Sequence, residues 1–195
     1  MQSRLILASG SPRRRELLDQ IGVRYRVTCA DIDERQYAGE AARDYVQRMA
    51  MDKAAAVLSR EGPGRPILAA DTIVVLDGVV LGKPCDAGHA AEILRRLSGR
   101  THEVMSAVVL LAPGAAVRRT LNVSRVTFAP LDDDWISAYC ASGEPLDKAG
   151  AYAIQGLAAQ RIERLEGSFS GVMGLPLYET SELLRAAGLL VQYRG

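Results

Sequence analysis

The sequence predicts an α/β protein built on an elongated mixed β-sheet flanked by helices, and three observations carry that expectation. Short apolar runs at Leu5–Ala8 and Pro66–Ala70 alternate with longer stretches of helical periodicity. Asp77-Gly78 stands between Ile73–Leu76 and Val79–Leu81, a hairpin signature. Two long alternating segments, Val104–Leu111 and Arg118–Phe128, are joined at Pro113-Gly114 and read as an antiparallel pair.

In chain order, the Leu5–Ala8 strand stops at small residues and a helix opens at Pro12. Ser11 is a good N-cap, Pro12 suits the first helical position, and Gly22 is placed to end the helix. Tyr25–Thr28 alternates like a short strand and leads into a loop, residues 30–35, crowded with carboxylates. Residues 41–59 read as a helix whose inner stripe runs Val46, Met49, Ala50, Lys53 and Val57. The Gly- and Pro-rich stretch from Glu61 to Pro66 is a loop, after which Pro66–Ala70 is a strand ending in Asp71-Thr72. Helices are predicted at Ala87–Leu97, Asp132–Ala141 and Leu177–Ala187, with short strand pieces in the Gly-rich region Gly150–Gly174. There is no internal repeat.

A chain of 195 residues can bury one substantial core or form two lobes sharing a sheet. Its 48% hydrophobic and 24% charged residues describe a globular protein. A net charge of +1 and 5% aromatic content exclude a general nucleic-acid binder, so any anion must be met by a local cluster of cations. Leu5–Ala8 is too brief for a signal peptide or membrane anchor, which predicts a cytoplasmic protein without membrane association. Cys29, Cys85 and Cys140 are odd in number and widely spaced, which predicts reduced thiols and no zinc site.

The chemistry-bearing residues cluster in type. Helix N-termini attract anions through open N–H groups and the helix dipole, and Arg13, Arg14 and Arg15 add full charges to the first turn. Either an anion completes that turn or it is an exposed basic helix with an ordinary cap. Lys53, on an apolar stripe, either snorkels to the surface or turns its ammonium into a site. Asp71 follows an apolar run, so it is a strand-end ligand group or a turn aspartate. Glu34 in the acidic loop and Lys83 after the hairpin complete the set. Two carboxylates with several cations match the needs of phosphate-ester chemistry: a hard cation to hold, charge on phosphate oxygens to absorb, and a proton to take from water.

The ordered motifs SGSPRRRELL, the acidic loop at Asp31–Glu34, Lys53, ADTIVVLDGVVLGKP, LSGRTHEV, SGEPLDKAGAYAIQG and GSFSGVMGLPLYET resemble the Maf proteins across nearly the whole chain. The resemblance implies a single nucleotide pyrophosphatase domain over residues 1–195, related in fold to the inosine triphosphate pyrophosphatases, with two lobes around a central cleft. It implies a nucleoside triphosphate substrate cleaved between the α- and β-phosphates with a divalent metal, Mg²⁺ or Mn²⁺. By position Asp71 matches the proton acceptor and Glu34 a carboxylate close to the metal, with Asp71 also facing the metal. Ser11, Arg13, Arg14, Lys53 and Lys83 match the phosphate-handling set. Arg13, Thr72 and Gln155 are the combination of the branch that acts on dTTP and UTP; the 7-methyl-GTP branch has tryptophan, glutamine and glutamate there. The Gln155 amide offers both donor and acceptor, as the uracil and thymine edge requires, whereas cytosine reverses the pattern. Such a site can reject the wrong base by factors on the order of 10⁴. Gly171 departs from the Asn or Ala of many members, so no role carries over to it. His102 is expected to be a structural hydrogen-bonding residue. A homodimer is compatible with the long mixed sheet. A nucleotide-binding regulator of cell division and septum formation, with incidental turnover, is the alternative function, and housecleaning of modified pyrimidine nucleotides would use the same chemistry.

Overall fold

A computed structural model of the chain describes residues 5–189. Its elements follow the order β1 (Leu5–Leu7), α1 (Pro12–Gln20), β2 (Tyr25–Val27), α2 (Ala42–Glu61), β3 (Ile67–Leu76), β4 (Val79–Leu81) and α3 (Ala87–Leu97). They continue through β5 (Thr101–Leu111), β6 (Arg118–Phe128), α4 (Asp133–Ala141), β7 (Ile162–Glu166), α5 (Phe169–Met173) and α6 (Leu177–Ala186). The strands form one open sheet in the order β2-β1-β3-β5-β6-β7, with β4 paired to β3. The sheet is mixed, as expected: β1 runs parallel to β2 and β3, whereas β3–β4 and β6–β7 are antiparallel. Among the described residues no helix is long and apolar enough to cross a membrane.

The chain divides into two compact units. One holds the described residues up to Asp71, then Ser106–Asn122 and the segment from Gly174; the other holds Thr72–Met105 and Val123–Met173. The core of the first unit is built from the apolar run of β1, the α1 residues Leu17 and Leu18, and the α2 residues Val46 and Met49, all buried. In the second unit, Leu94 and Leu97 of α3 pack into a cluster with Phe128, Ile136 and Tyr152. Its β3–β4 hairpin turns at Asp77 and Gly78 with φ of 51° and 78°, the two positive values that a two-residue type I′ connection demands.

The structure corrects three expectations. The Pro66–Ala70 strand does not end at Asp71-Thr72: β3 runs unbroken through both residues to Leu76. A carboxylate that signals a strand end when solvated can stay inside a strand when a cation pairs with it, and the partner is described below. In the Gly-rich region only β7 is a strand. Its helical pieces are the 3₁₀ segments Ala149–Ala151 and Leu157–Arg161 and the short α5, with irregular chain between them. Short helical turns leave no alternating pattern to read. Finally, Ser11 sits at the N-cap position of α1 with no side-chain capping bond.

His102 is structural in its setting. It is buried on β5, bonded through Nε2 to the Tyr152 hydroxyl at 2.8 Å and stacked 5.8 Å from the Phe128 ring, while its Nδ1 is buried without a hydrogen-bond partner. Burial pushes the imidazole down to about 4, so the native state holds it neutral. The unfolded chain binds this proton first, near the ordinary histidine pKa of about 6.5, so stability is full above that pH and falls as the pH drops toward 4. The expected loss from this one residue is about 3 kcal/mol across that window. Urea unfolding at pH 7 and pH 4.5 checks it: the His102→Gln variant, although weaker at neutral pH, is expected to lose less stability than the parent on acidification. An equal loss in both contradicts the assignment.

Candidate active site

The first unit brings four of the expected residues into one cluster. Lys53, on the inner stripe of α2, sends its ammonium to Asp71 Oδ1 at 2.6 Å and to Glu34 Oε1 at 2.7 Å. It does not snorkel. Its side chain and that of Asp71 are each only 12% exposed, whereas Glu34 is 54% exposed, so the ammonium joins a buried carboxylate to a wet one. The two carboxylate oxygens can stand no further apart than those two bonds laid end to end. Arg14 is the fourth member, electrostatically coupled to Asp71 and, more weakly, to Glu34.

Arg14 is buried in the first turn of α1. Its Nε donates to the Gly174 carbonyl at 2.8 Å and its Nη1 to Ser9 Oγ at 3.1 Å. Burial lowers its pKa from the ordinary guanidinium value, and the negative charge of Asp71 opposes that shift. Ser9 Oγ also accepts from the Ser11 amide at 3.2 Å. Ser9 is therefore the residue whose hydroxyl organises the strand-to-helix turn. Arg13 is half-buried beside this turn, and Ser11 and Gly10 are at least partly exposed at its surface. A Cβ at Gly10 would stand 3.2 Å from the Cys29 sulfur, so the backbone there is closely packed on one side.

Two residues that sequence reasoning missed hold Glu34 in place. Tyr45 donates its hydroxyl to the Glu34 carbonyl at 2.7 Å, and its phenol is raised first by burial and then by the charges of Asp71 and Glu34. Arg48, one turn on, grips Glu40 with two bonds of 2.6 and 2.7 Å and donates to the Arg35 carbonyl at 3.0 Å. Its guanidinium also lies 3.9 Å from the centre of the Tyr37 ring. A helical pair three residues apart faces one way. The spacing was visible, but nothing in it said that the facing partner was the acidic loop.

The remaining expected residues belong to the second unit. Thr72 follows Asp71 on β3 and is half-buried, Lys83 is exposed just after β4, and Gln155 is exposed between two 3₁₀ turns. Cys29 and Cys85 are exposed free thiols and Cys140 a buried one.

A buried carboxylate paired to an ammonium, next to a second carboxylate and a basic helix N-terminus, is a site chemically suited to handling a phosphate anion and to moving a proton beside it. The chain belongs to the Maf-like proteins, whose family description matches residues 4–187. It is 56% identical over 186 residues, 95% of this chain and 92% of the other, to a Methylococcus capsulatus protein named dTTP/UTP pyrophosphatase. An Escherichia coli protein of the same name is 53% identical over 180 residues, covering 92% of this chain and 91% of the other. Among solved structures, a HAM1 protein from Coxiella burnetii superposes with a TM-score of 0.50 at 18% identity, over 94% of this chain and 98% of that one, a likeness of fold.

Removing the ammonium would leave two carboxylates facing each other. Lys53→Met is therefore expected to cost about 2–3 kcal/mol at pH 7, less than a fully buried pair because Glu34 is wet. Parallel urea titrations of parent and variant at pH 7 measure this, and an unchanged stability argues against the bridge.

Proposed function

We propose that this chain is a nucleoside triphosphate pyrophosphatase acting on dTTP and UTP, releasing the nucleoside monophosphate and pyrophosphate. The observation that carries the reading is the Lys53 ammonium joining Asp71 to Glu34 within the field of Arg14. The pyrimidine assignment rests on the relatives that bear that activity in their names and on the presence of Arg13, Thr72 and Gln155.

Asp71 is the proton acceptor. Lys53 holds the carboxylate through Oδ1, and Oδ2 is the atom assigned to take the proton of a water directed at the α-phosphorus. Arg13, Arg14, Lys53 and Lys83 balance the charge of the polyphosphate, with Ser11 at the turn that receives it. Preorganised charge of this kind supplies the largest share of many enzymes' rate gain. Gln155 reads the base edge and Thr72 stands with it as a substrate contact. In this reading residues 1–195 make one pyrophosphatase domain.

The residues fit a divalent cation. Among the described residues no group of three or more carboxylate, imidazole or thiol ligands converges. Mg²⁺ does not require one, since it is commonly held by one or two carboxylates with water and substrate phosphate completing the shell. Glu34 and Asp71 would hold Mg²⁺ or Mn²⁺, which when bound would polarise phosphate oxygens and acidify water.

A panel of nucleoside triphosphates, with and without Mg²⁺ and scored for pyrophosphate against orthophosphate, tests the activity. Metal-dependent pyrophosphate release from dTTP and UTP is expected; orthophosphate release, or binding without turnover, contradicts it. Asp71→Asn should remain folded and bind nucleotide while losing at least about a hundredfold in turnover. Near-normal turnover would remove Asp71 from the mechanism. Gln155→Glu, which replaces a donor with an acceptor, should abolish the preference for dTTP and UTP, and an unchanged ranking of substrates would refute base reading.

A further inference from the structure

The turn that carries Gln155 is clamped by residues to which no role has been given. Gly156 N–H donates to the Ala153 carbonyl at 3.1 Å, closing a tight turn with Ile154 and Gln155 between them. At one end, Ala153 N–H donates to the Tyr139 hydroxyl at 3.3 Å. At the other, Leu157 N–H donates to Glu144 Oε2 at 3.1 Å. The two anchors are joined, because Tyr139 donates its hydroxyl to Glu144 Oε1 at 2.8 Å. A single carboxylate therefore accepts from both sides of the turn, one side directly and the other through a phenol that is 3% exposed.

Glu144 is itself fixed. Its amide donates to Ser142 Oγ at 3.2 Å and its carbonyl accepts from Lys148 Nζ at 2.6 Å. The carboxylate also lies flat against Gly156: a Cβ built on that glycine would fall inside it. Gly156 has a φ of −103°, which any residue can adopt, so the backbone conformation is not what requires glycine here. The requirement is room for the carboxylate. All these residues lie in the second unit.

We infer that Glu144, acting through Tyr139 and against Gly156, is the positioning residue that sets the base preference of Gln155. The inference rests on the base-reading role proposed for Gln155. An amide distinguishes uracil from cytosine only if its donor and acceptor are held in register with the base edge, and a displacement of about 1 Å is enough to cost about a hundredfold in a positioned site. Gln155 is exposed at the tip of its turn, and the clamp at Ala153 and Leu157 is what limits the movement of the backbone that carries it.

The experiment measures kcat/KM for UTP and for CTP, by pyrophosphate release with Mg²⁺, in the parent and in Glu144→Ala, Glu144→Gln, Gly156→Ala and Gln155→Ala. The UTP-to-CTP ratio is expected to fall at least about tenfold in Glu144→Ala and in Gly156→Ala. Glu144→Gln keeps an acceptor for Leu157 N–H and should recover most of the ratio. Adding Glu144→Ala to Gln155→Ala should lower the ratio no further than Gln155→Ala does alone. A purely structural role would slow both substrates by a common factor and lower Tm, leaving the ratio alone. If the ratio stays within about twofold of the parent in Gly156→Ala and Glu144→Ala while Gln155→Ala collapses it, the clamp is overturned and base reading stands. If Gln155→Ala also leaves the ratio unchanged, base reading has failed and the clamp falls with it. Should Glu144→Ala not fold, Gly156→Ala and Glu144→Gln decide the matter.

Discussion

The pairing of Lys53 with Asp71 is the constraint around which the first unit is organised. An aspartate in the middle of a buried strand is costly unless its charge is met, and a lysine on the inner face of a helix is costly for the same reason. Here each resolves the other's penalty at 2.6 Å, and the pairing fixes which face of α2 must turn toward β3. The apolar neighbours Val46, Met49, Ala50 and Val57 then pack beside it. Glu34 extends the pair into the acidic loop, so a single ammonium ties helix, strand and loop together.

The same arrangement explains why the loop and the strand-to-helix turn are built as they are. Glu34 would be of little use on a loose segment, and Arg48 and Tyr45 fasten that segment to α2 through Glu40, the Arg35 and Glu34 carbonyls and the Tyr37 ring. On the other side, Ser9 and the Gly174 carbonyl commit the buried Arg14 to one position, so its charge is fixed relative to Asp71. In the second unit, Glu144 and Tyr139 clamp the turn carrying Gln155 in a comparable way. In each case groups with no proposed contact to substrate order a side chain that has a proposed role in the site.

Much of the fold was legible because its signals are local. Asp77-Gly78, the stripe of α2 and the long alternating segments of β5 and β6 each announce an element within about ten residues. Asp71 looks like a strand end in the sequence because its partner, Lys53, lies 18 residues away and the local pattern holds only a carboxylate. Position alone favours Ser11 as a cap, whereas the hydroxyl that orders the turn belongs to Ser9, reached from Arg14. Tyr45, Arg48 and Glu144 escape for a related reason: each bonds a backbone group 11 to 13 positions away, in a loop or a short 3₁₀ turn that carries no periodicity from which to infer the partner. The family likeness supplied the candidate residues by position, and the structure added the hydrogen bonds that order them.

The proposed reaction centres on a water, directed by Asp71, that attacks the α-phosphorus. Turnover of UTP in ¹⁸O-labelled water, with the products resolved by mass spectrometry, tests this most directly. Attack on the α-phosphorus leaves one ¹⁸O in UMP and none in the pyrophosphate. Label in pyrophosphate, or in released orthophosphate, would contradict it by placing the attack on another phosphorus.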